Sequence, residues 1–294
     1  MFTFYAMNKK GFFVIKNIIE KYNPEIIEAV ISSIDKNVKK DYYDDIKKLC
    51  KSYKVPFFDR NDKGFVVQSK FIFAIGWRWL IQNEESKVII FHDSLLPKYR
   101  GFAPLVSCLI NGEKKIGVTA LYASEHYDAG QIIKQKEVEI SFPITISEAI
   151  TKVQSIYLEL VVDIIDQLLT GIIPKGYDQD STKASYSLWR DELDYHIDWR
   201  QDSEAIRRFV DAVGFPFKGA YSFINNKRIR ITRVELVEDV IVENRNNMVG
   251  KVIFQHNDNP IVVCGKGLIK IIEAFEDEVN TNALPFQNFR TRLS

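Results

Sequence analysis

The stretch that decides the fold is Val88-Ile89-Ile90-Phe91-His92-Asp93-Ser94-Leu95-Leu96-Pro97-Lys98-Tyr99-Arg100-Gly101. The run from 88 to 91 is entirely apolar, which is typical of a strand buried on both faces of a parallel sheet. Polar residues begin at His92, where this strand is predicted to end. Ligands bind at the carboxyl edge of such sheets. The stretch therefore predicts an open α/β sheet with a functional site at its edge.

A second polar stretch, Ser124-Glu125-His126-Tyr127-Asp128-Ala129-Gly130, follows another predicted strand over 116–122. We interpret His92 as a general base, because an imidazole titrates near neutral pH and can accept and return a proton. Asp128 is its predicted partner, since a carboxylate beside an imidazole sets the tautomer and stabilises the imidazolium. The two stretches together predict an active site.

These motifs resemble the formyltetrahydrofolate-dependent formyltransferases. The resemblance rests on the stretch from His92 to Gly101, followed by Leu109-Ile110-Asn111-Gly112-Glu113, Gly117-Val118-Thr119 and Asp128-Ala129-Gly130. Members of that family use a catalytic Asn-x-His set with a distant Asp, and His92 and Asp128 match two of the three. Ile90 stands where the family has Asn. The oxyanion donor is therefore open between protonated His92, the Ser94 hydroxyl and a backbone N–H.

The resemblance implies an α/β fold with two domains. Residues 1–188 would form a Rossmann-like catalytic domain with a mostly parallel sheet, and residues 189–294 a linker and a smaller OB-like β-barrel. Periodicity within the first part predicts helices over 38–53, 105–111 and 146–168, and strands over 2–6, 27–31, 55–58, 71–75 and 116–122. In the second part it predicts a helix over 203–210 and strands over 227–234, 249–254, 261–264 and 268–272. The segment 173–185 has a turn-rich composition and is predicted to be an exposed connection.

The resemblance also implies the co-substrate N10-formyltetrahydrofolate and assigns residues to it. Those residues are Trp79, Leu80, Ile81, Ser124, Glu125, His126 and Tyr127. Without the neighbouring motif, the tryptophans at 77 and 79 would be interpreted equally well as a cap on the core. Candidates for holding the acceptor substrate are Lys9, Lys10, Ser94, Lys98 and Arg100, although surface charge is the simpler interpretation of each basic one. His126 is predicted to be a wall residue and not a second base.

Composition limits the partners of this chain. A formal net charge of +1 gives no general reason to expect a nucleic acid, and the region 191–294 holds 14 basic and 16 acidic residues. Cys50, Cys108 and Cys264 are far apart, which argues against disulfides and indicates a reducing cytoplasm. The four histidines lack ligand spacing, so we expect no metal. No apolar run is long enough to span a membrane.

We therefore expect an N-formyltransferase that acts on the amine of a nucleotide-linked amino sugar in surface polysaccharide biosynthesis. Residues 33–37 pass almost directly into a predicted helix, which leaves no room for the basic insertion that methionyl-tRNA formyltransferases carry there. Methionyl-tRNA formyltransferase is the first alternative, and a degenerate folate or nucleotide-sugar binding protein with little turnover is the second. A formyltetrahydrofolate deformylase ranks below both. The sequence leaves the oligomeric state open.

Overall fold

The computed structural model describes residues 1–62, 64–83 and 85–294. Its helices are α1 (Asn8–Lys21), α2 (Tyr43–Ser52), α3 (Pro104–Ile110), α4 (Ile146–Leu169), α5 (Ser203–Ala212) and α6 (Arg245–Met248). The strands are β1 (Phe2–Ala6), β2 (Ile27–Ser32), β3 (Phe57–Asp59), β4 (Phe71–Ile75), β5 (Lys87–His92), β6 (Arg100–Gly101), β7 (Lys115–Tyr122), β8 (Ile132–Glu139), β9 (Tyr186–Ser187), β10 (Ala220–Ile224), β11 (Lys227–Val237), β12 (Val252–His256), β13 (Asn259–Val263) and β14 (Leu268–Glu276).

The large sheet has seven strands in the order β3-β2-β1-β4-β5-β7-β8. Its first five strands are parallel, whereas β7 runs antiparallel to both β5 and β8. The strand order reverses between β1 and β4, and in doubly wound sheets such a reversal opens a ligand crevice at the carboxyl edge. His92 is the last residue of β5 and lies at that edge.

Helix α1 begins at Asn8, directly after β1. A Cβ added at Gly11 would lie 3.0 Å from the backbone carbon of Ala6, so any other residue would push the helix slightly away from the strand end. The helix then buries Val14, Ile15 and Ile18. Close packing at this point is what brings the start of α1 to the carboxyl edge of the sheet.

The predicted helix over 38–53 begins later than expected, at Tyr43. The carboxylate of Asp41 accepts hydrogen bonds from the backbone N–H groups of Asp35 and Tyr43, at 3.1 Å each. Side chains that bond to nearby backbone in this way compete with helical hydrogen bonds. As a result, residues 33–42 form a loop at the carboxyl edge, which we call the lysine loop after its exposed Lys36, Lys39 and Lys40.

The smaller sheet has five antiparallel strands in the order β10-β11-β14-β13-β12. Helix α5 precedes it and is capped by Asp202, whose carboxylate accepts from the N–H of Ala205 at 2.6 Å. The four strands predicted in this region are present with shifted ends. The sequence pattern missed β10, and in the large sheet it missed the edge strand β8.

By its contacts the chain divides into two compact units. Unit 1 comprises Met1–Leu105, Lys115–Ile140 and Glu148–Leu188, and unit 2 comprises Val106–Lys114, Ser141–Ser147 and Trp189–Ser294. The fold class is confirmed, with a mostly parallel α/β sheet followed by a smaller antiparallel β sheet. The assignment of domains to 1–188 and 189–294 stays a prediction. Within the described residues, no helix has the length and apolar character needed to cross a bilayer.

Candidate active site

His92 is held by the backbone of the loop that follows β5. The residue is only 7% exposed, and its Nε2 lies 2.7 Å from the carbonyl oxygen of Tyr99. A carbonyl oxygen only accepts, so Nε2 carries the hydrogen and donates it. In the neutral ring, Nδ1 is then the unprotonated nitrogen. The Tyr99 carbonyl, and not Asp128 as the sequence suggests, sets this tautomer.

Asp128 faces the other ring nitrogen. Its Oδ2 is 3.5 Å from Nδ1 of His92 and accepts a hydrogen bond of 2.8 Å from the N–H of Gly101. The two side chains are 7% and 13% exposed. A proton taken up at Nδ1 would therefore meet a carboxylate in a poorly hydrated place, where the attraction between opposite charges is strong. The predicted pair is brought together.

The carbonyl of Tyr99 points at His92 because the backbone turns sharply at this residue. Tyr99 has φ of +60°, a conformation that few side chains other than Asn and Asp adopt readily. Its N–H donates to Ser185 Oγ at 2.9 Å, and Ser187 Oγ lies 3.4 Å from its carbonyl oxygen. Next to it, β6 pairs in parallel with β9. A Cβ on Gly101 would meet the Ser187 carbonyl oxygen at 2.6 Å, so this close pairing requires glycine.

Ser94 is used internally by the same loop. It is completely buried, and its hydroxyl donates to the carbonyl oxygen of Lys98 at 2.7 Å. Its own carbonyl accepts from the Thr119 hydroxyl at 2.6 Å. In this conformation the Ser94 hydroxyl is committed to the turn and is not available to a substrate. Lys98 is exposed on the outer side of that turn.

Arg100 points into the protein. It is 4% exposed and donates from Nε and Nη2 to Oε1 of Gln179, at 3.1 and 2.8 Å. The side chain that the sequence suggests for an external phosphate therefore has an internal partner. Gln179 lies in the segment predicted to be an exposed connection, and no motif in the sequence marks it.

Lys10 belongs to a charged group formed by Asp93, Lys10 and Tyr157. The ammonium of Lys10 pairs with one carboxylate oxygen of Asp93. The Tyr157 hydroxyl donates its one hydrogen to the other at 2.6 Å and also lies 2.9 Å from the Phe91 carbonyl oxygen. Burial, followed by the charge of Asp93, raises the pKa of Tyr157 well above its usual range. Tyr157 therefore stays a neutral donor. Lys9 donates to the Thr151 hydroxyl at 2.9 Å in an exposed position.

An aromatic group lies after β4, in the region assigned to the folate. Trp77 packs edge-on against both Tyr5 and Trp79, with centroids 4.9 and 5.1 Å away. Arg60 covers Trp79 at 4.1 Å from the ring centroid. Ile81 packs with Trp77 against a cluster that Ile90 also contacts, whereas Leu80 is 77% exposed. These residues thus continue the sheet face that carries Ile90 and His92.

The loop before Asp128 is open to solvent. Ser124, Glu125, His126 and Tyr127 are all exposed. The Ser124 hydroxyl donates to the His126 carbonyl at 2.9 Å, which closes a local turn. The Tyr127 ring is 73% exposed and lies 6.2 Å from Phe102, centroid to centroid. The roles assigned to these four residues stay predictions.

Two family models match the chain. The model for "Formyl transferase" covers residues 62–165, and the model for its C-terminal domain covers residues 191–288. A methionyl-tRNA formyltransferase of Halothermothrix orenii is 37% identical over 187 residues, which are 63% of this chain and 58% of the relative. One from Clostridium novyi is 30% identical over 212 residues, 70% of this chain and 67% of the relative.

Solved structures share the fold. An N-formyltransferase from Helicobacter canadensis, solved with folinic acid and dTDP-3-aminofucose, gives a TM-score of 0.69 at 17% identity and covers 92% of this chain and 98% of its own. At that identity the likeness concerns the fold alone. The chain spans a little over half the length of the first curated relatives, with 58%, 56% and 55% covered.

The expectation of an amino-sugar acceptor is wrong on these comparisons. Six curated relatives at 30 to 37% identity are all named methionyl-tRNA formyltransferase. The direct passage into α2 that was expected after β2 is also absent, because the lysine loop separates the two elements. The resemblance inferred from His92, Asp128 and their flanking motifs is confirmed. This chain belongs to the formyl transferase family.

Proposed function

We propose that this chain transfers a formyl group from N10-formyltetrahydrofolate to the amino group of methionyl-tRNA. The observation that carries the chemistry is the pairing of His92 with Asp128 at the carboxyl edge of the large sheet. The acceptor is proposed from the curated relatives, which are all named for it. N10-formyltetrahydrofolate supplies the activated formyl carbon.

The residues of this chain would handle the proton. The attacking amine must lose a proton as it forms the new C–N bond, and a positioned base contributes about 10²- to 10⁴-fold to such a step. Nδ1 of His92 is the nitrogen free to accept, because Nε2 donates to Tyr99. The imidazolium that results is stabilised by Asp128 on one side and by the Tyr99 carbonyl on the other. The bond between the formyl carbon and N10 then breaks, and N10 of the departing tetrahydrofolate takes up a proton, which balances the one that the amine lost.

The formyl oxygen gains negative charge during this reaction, so a donor near it is required. The Ser94 hydroxyl is turned to Lys98, which leaves protonated His92 and the backbone N–H groups among the candidates from the sequence. Ile90 is half-buried against apolar residues and supplies no hydrogen bond.

The aromatic group after β4 fits a planar heterocycle such as a pterin. In the described part of the chain, the indole Nε1 of Trp77 is a buried donor without a hydrogen-bond partner. Such a donor is costly unless something pairs with it. Trp77, Trp79 and Ile81 offer the flat and apolar surface that pterin binding needs. We propose that they hold the folate, with Leu80 covering it.

The lysine loop supports a polyanionic acceptor. Lys36, Lys39 and Lys40 are exposed at the same sheet edge as His92. The loop itself is anchored, because buried Asp35 accepts from Arg78 Nη1 at 3.0 Å and Tyr42 packs on Phe12 with centroids 5.7 Å apart. Exposed lysines on an anchored loop can contact phosphates without being ordered first.

We also propose that the reaction takes place in the cytoplasm. Cys50, Cys108 and Cys264 are all buried, and no disulfide joins them in the described residues. A reducing compartment suits buried thiols of this kind.

The test is a formylation assay with purified protein and formyltetrahydrofolate. Charged initiator methionyl-tRNA, uncharged tRNA, free methionine and nucleotide-linked amino sugars are supplied in parallel, and products are identified by mass spectrometry. We expect formylated methionyl-tRNA together with release of tetrahydrofolate. Formylation of another amine alone would contradict the proposed acceptor. Tight folate binding without turnover on any acceptor would indicate a binding protein instead.

A further inference from the structure

Residues 174–187, which we call the strap, run along the candidate active site within unit 1. The Tyr122 hydroxyl donates to the Pro174 carbonyl at 2.6 Å, and Tyr177 and Ile132 exchange backbone hydrogen bonds of 2.8 and 2.9 Å. At its far end, β9 pairs with β6 beside Tyr99. The strap is therefore bonded to the segments that carry both His92 and Asp128.

Gln179 is the strap residue that reaches Asp128. Its side-chain Nε2 donates to the backbone carbonyl oxygens of Asp128 and Gly130, at 2.7 and 2.8 Å. Its Oε1 accepts from Nε and Nη2 of Arg100. One amide group thus joins the loop of Asp128 to the loop that follows His92.

The orientation of this amide is determined by its partners. A guanidinium only donates and the two carbonyl oxygens only accept, so a reversed amide would place like groups against each other on both sides. Arg100 is 4% exposed, and its charge makes the hydrogen bonds to Oε1 stronger than those between neutral groups. Gln179 is therefore held in one orientation, with its donors turned toward Asp128.

Asp128 needs such support. Its Oδ2 is 3.5 Å from His92 Nδ1, so a small rotation of the loop would remove the carboxylate from the ring. A misplacement of about 1 Å at a reacting group can cost about 10²-fold in rate.

We propose that Gln179 is a positioning residue. Arg100 fixes the side-chain amide of Gln179, and this amide holds the backbone of Asp128 and Gly130, so that the Asp128 carboxylate stays against His92. The kinetic part of this inference rests on the proposed formyl transfer. Its structural part concerns the Asp128 loop alone and can be measured in a protein that turns nothing over.

The test variant is Gln179→Glu. It keeps the shape of the side chain and its acceptor for Arg100, but it places an oxygen against the carbonyl oxygens of Asp128 and Gly130. The matched control is Gln131→Glu. Gln131 donates to Asp178 at 2.9 Å, so it joins the same two chain segments without touching Asp128. Thermal melts show that both variants are folded before any rate is compared.

We expect kcat of Gln179→Glu to fall about 10- to 100-fold, with KM for the formyl donor little changed, while Gln131→Glu keeps the wild-type kcat. In an Asp128→Asn background, Gln179→Glu should cost nothing further, because a residue that acts through Asp128 has no second effect. An unchanged kcat, an equal loss in Gln131→Glu, or fully additive losses in single-turnover measurements would each overturn the inference.

If the wild-type protein shows no turnover, the proposed function is refuted, and the inference is then tested by a second measurement that needs no activity. Amide hydrogen exchange over residues 124–130 should be faster in Gln179→Glu than in both wild type and Gln131→Glu. Equal exchange in the two variants would show that Gln179 does not hold this loop.

Discussion

The Nε2 of His92 lies 2.7 Å from the carbonyl oxygen of Tyr99 and donates to it, so a backbone group decides which ring nitrogen can act as a base. Asp128 faces that other nitrogen at 3.5 Å. The Asp128 carboxylate therefore stabilises the protonated ring, whereas the Tyr99 carbonyl accepts a hydrogen bond from both the neutral and the protonated ring. Under the proposed mechanism, this division of roles makes the backbone conformation of Tyr99 a requirement for catalysis.

The conformation of Tyr99 can be tested by two substitutions. Asn tolerates positive φ, whereas a β-branched side chain is a true outlier there. We expect Tyr99→Asn to keep kcat within about threefold of wild type and Tyr99→Val to lower it about 10²-fold, since a turned carbonyl misplaces the ring. Steady-state kinetics beside thermal melts give the answer. Equal rates in both variants would show that this carbonyl does not orient His92.

The assignment of the base predicts a large loss in His92→Asn and in Asp128→Asn. Removing a general base costs about 10²- to 10⁴-fold in kcat, and the two losses should not add because the pair acts as a unit. His256→Asn, in an exposed position of the antiparallel sheet, is the control and should keep full activity. A kcat that survives in His92→Asn would require another base.

Substitutions at Ile90 test how the formyl oxygen is stabilised during the reaction. It precedes His92 on the same face of β5 and packs against two apolar clusters. We expect Ile90→Asn to raise kcat, because one oxyanion donor can be worth about 10²- to 10³-fold. The buried amide should also cost about 1 to 3 kcal/mol of stability.

Ile90→Val is the control for this site, since it changes the packing without adding a donor. Kinetics and urea unfolding of both variants separate the two effects. A rate unchanged in Ile90→Asn would mean that a protonated His92 or a backbone N–H already suffices.

The lysine loop is the surface that we expect to bind the proposed tRNA acceptor. Replacing Lys36, Lys39 and Lys40 together by Ala should raise KM for methionyl-tRNA and flatten its dependence on salt, with about one unit of slope lost per phosphate contact. The control replaces Lys54, Lys70 and Lys87, which are exposed at the opposite edge, where the first two precede β3 and β4 and Lys87 begins β5. Equal effects of the two triple variants would argue against the loop as a specific contact.

Because of the ion pairs that Arg230 makes, we expect the unit that contains the antiparallel sheet to lose stability in acid. It is 7% exposed, pairs with Glu192 and donates from Nε to Asp277 at 2.6 Å. The hydrogen bond from Arg230 lowers the pKa of Asp277, and the pKa of Glu192 is also lowered although its partial burial opposes this. In the folded protein the pKa of Asp277 lies below the ordinary 3.8, and that of Glu192 lies below the ordinary 4.5. The stability that these ion pairs contribute is therefore fully present above those ordinary values and declines as the pH falls further.

The free energy of unfolding of this unit should therefore decrease as pH falls below about 4.5 in the wild type, and it should decrease less steeply in Arg230→Met. At neutral pH the substitution should cost about 1.5 to 3 kcal/mol, because Glu192 and Asp277 lose their buried partner but keep Arg228. Arg233→Met, an exposed site on the same strand, should cost less than about 0.5 kcal/mol. Chemical unfolding from pH 7 to pH 3 measures both. Parallel pH curves for wild type and Arg230→Met would contradict the assignment.

The sequence by itself determined the family, the fold class and most strands of the large sheet, and it identified His92 and Asp128 as the candidate base and its partner. An apolar run such as 88–91 indicates a buried strand through its own composition. His92 and Asp128 are marked by residue type and by the motifs around them. These features depend on side-chain identity and on neighbours in the chain, and a single sequence contains both.

Only the tertiary structure decided how these groups are held. The Tyr99 carbonyl looks like every other carbonyl in the sequence, and its role arises from a φ of +60° and a distance of 2.7 Å. Gln179 bonds to a carbonyl 51 residues away, and Arg100 turns inward to meet it. The lysine loop replaced part of a predicted helix because Asp41 bonds to nearby backbone. Backbone groups carry no sequence signal, and contacts between distant segments form only when the chain has folded.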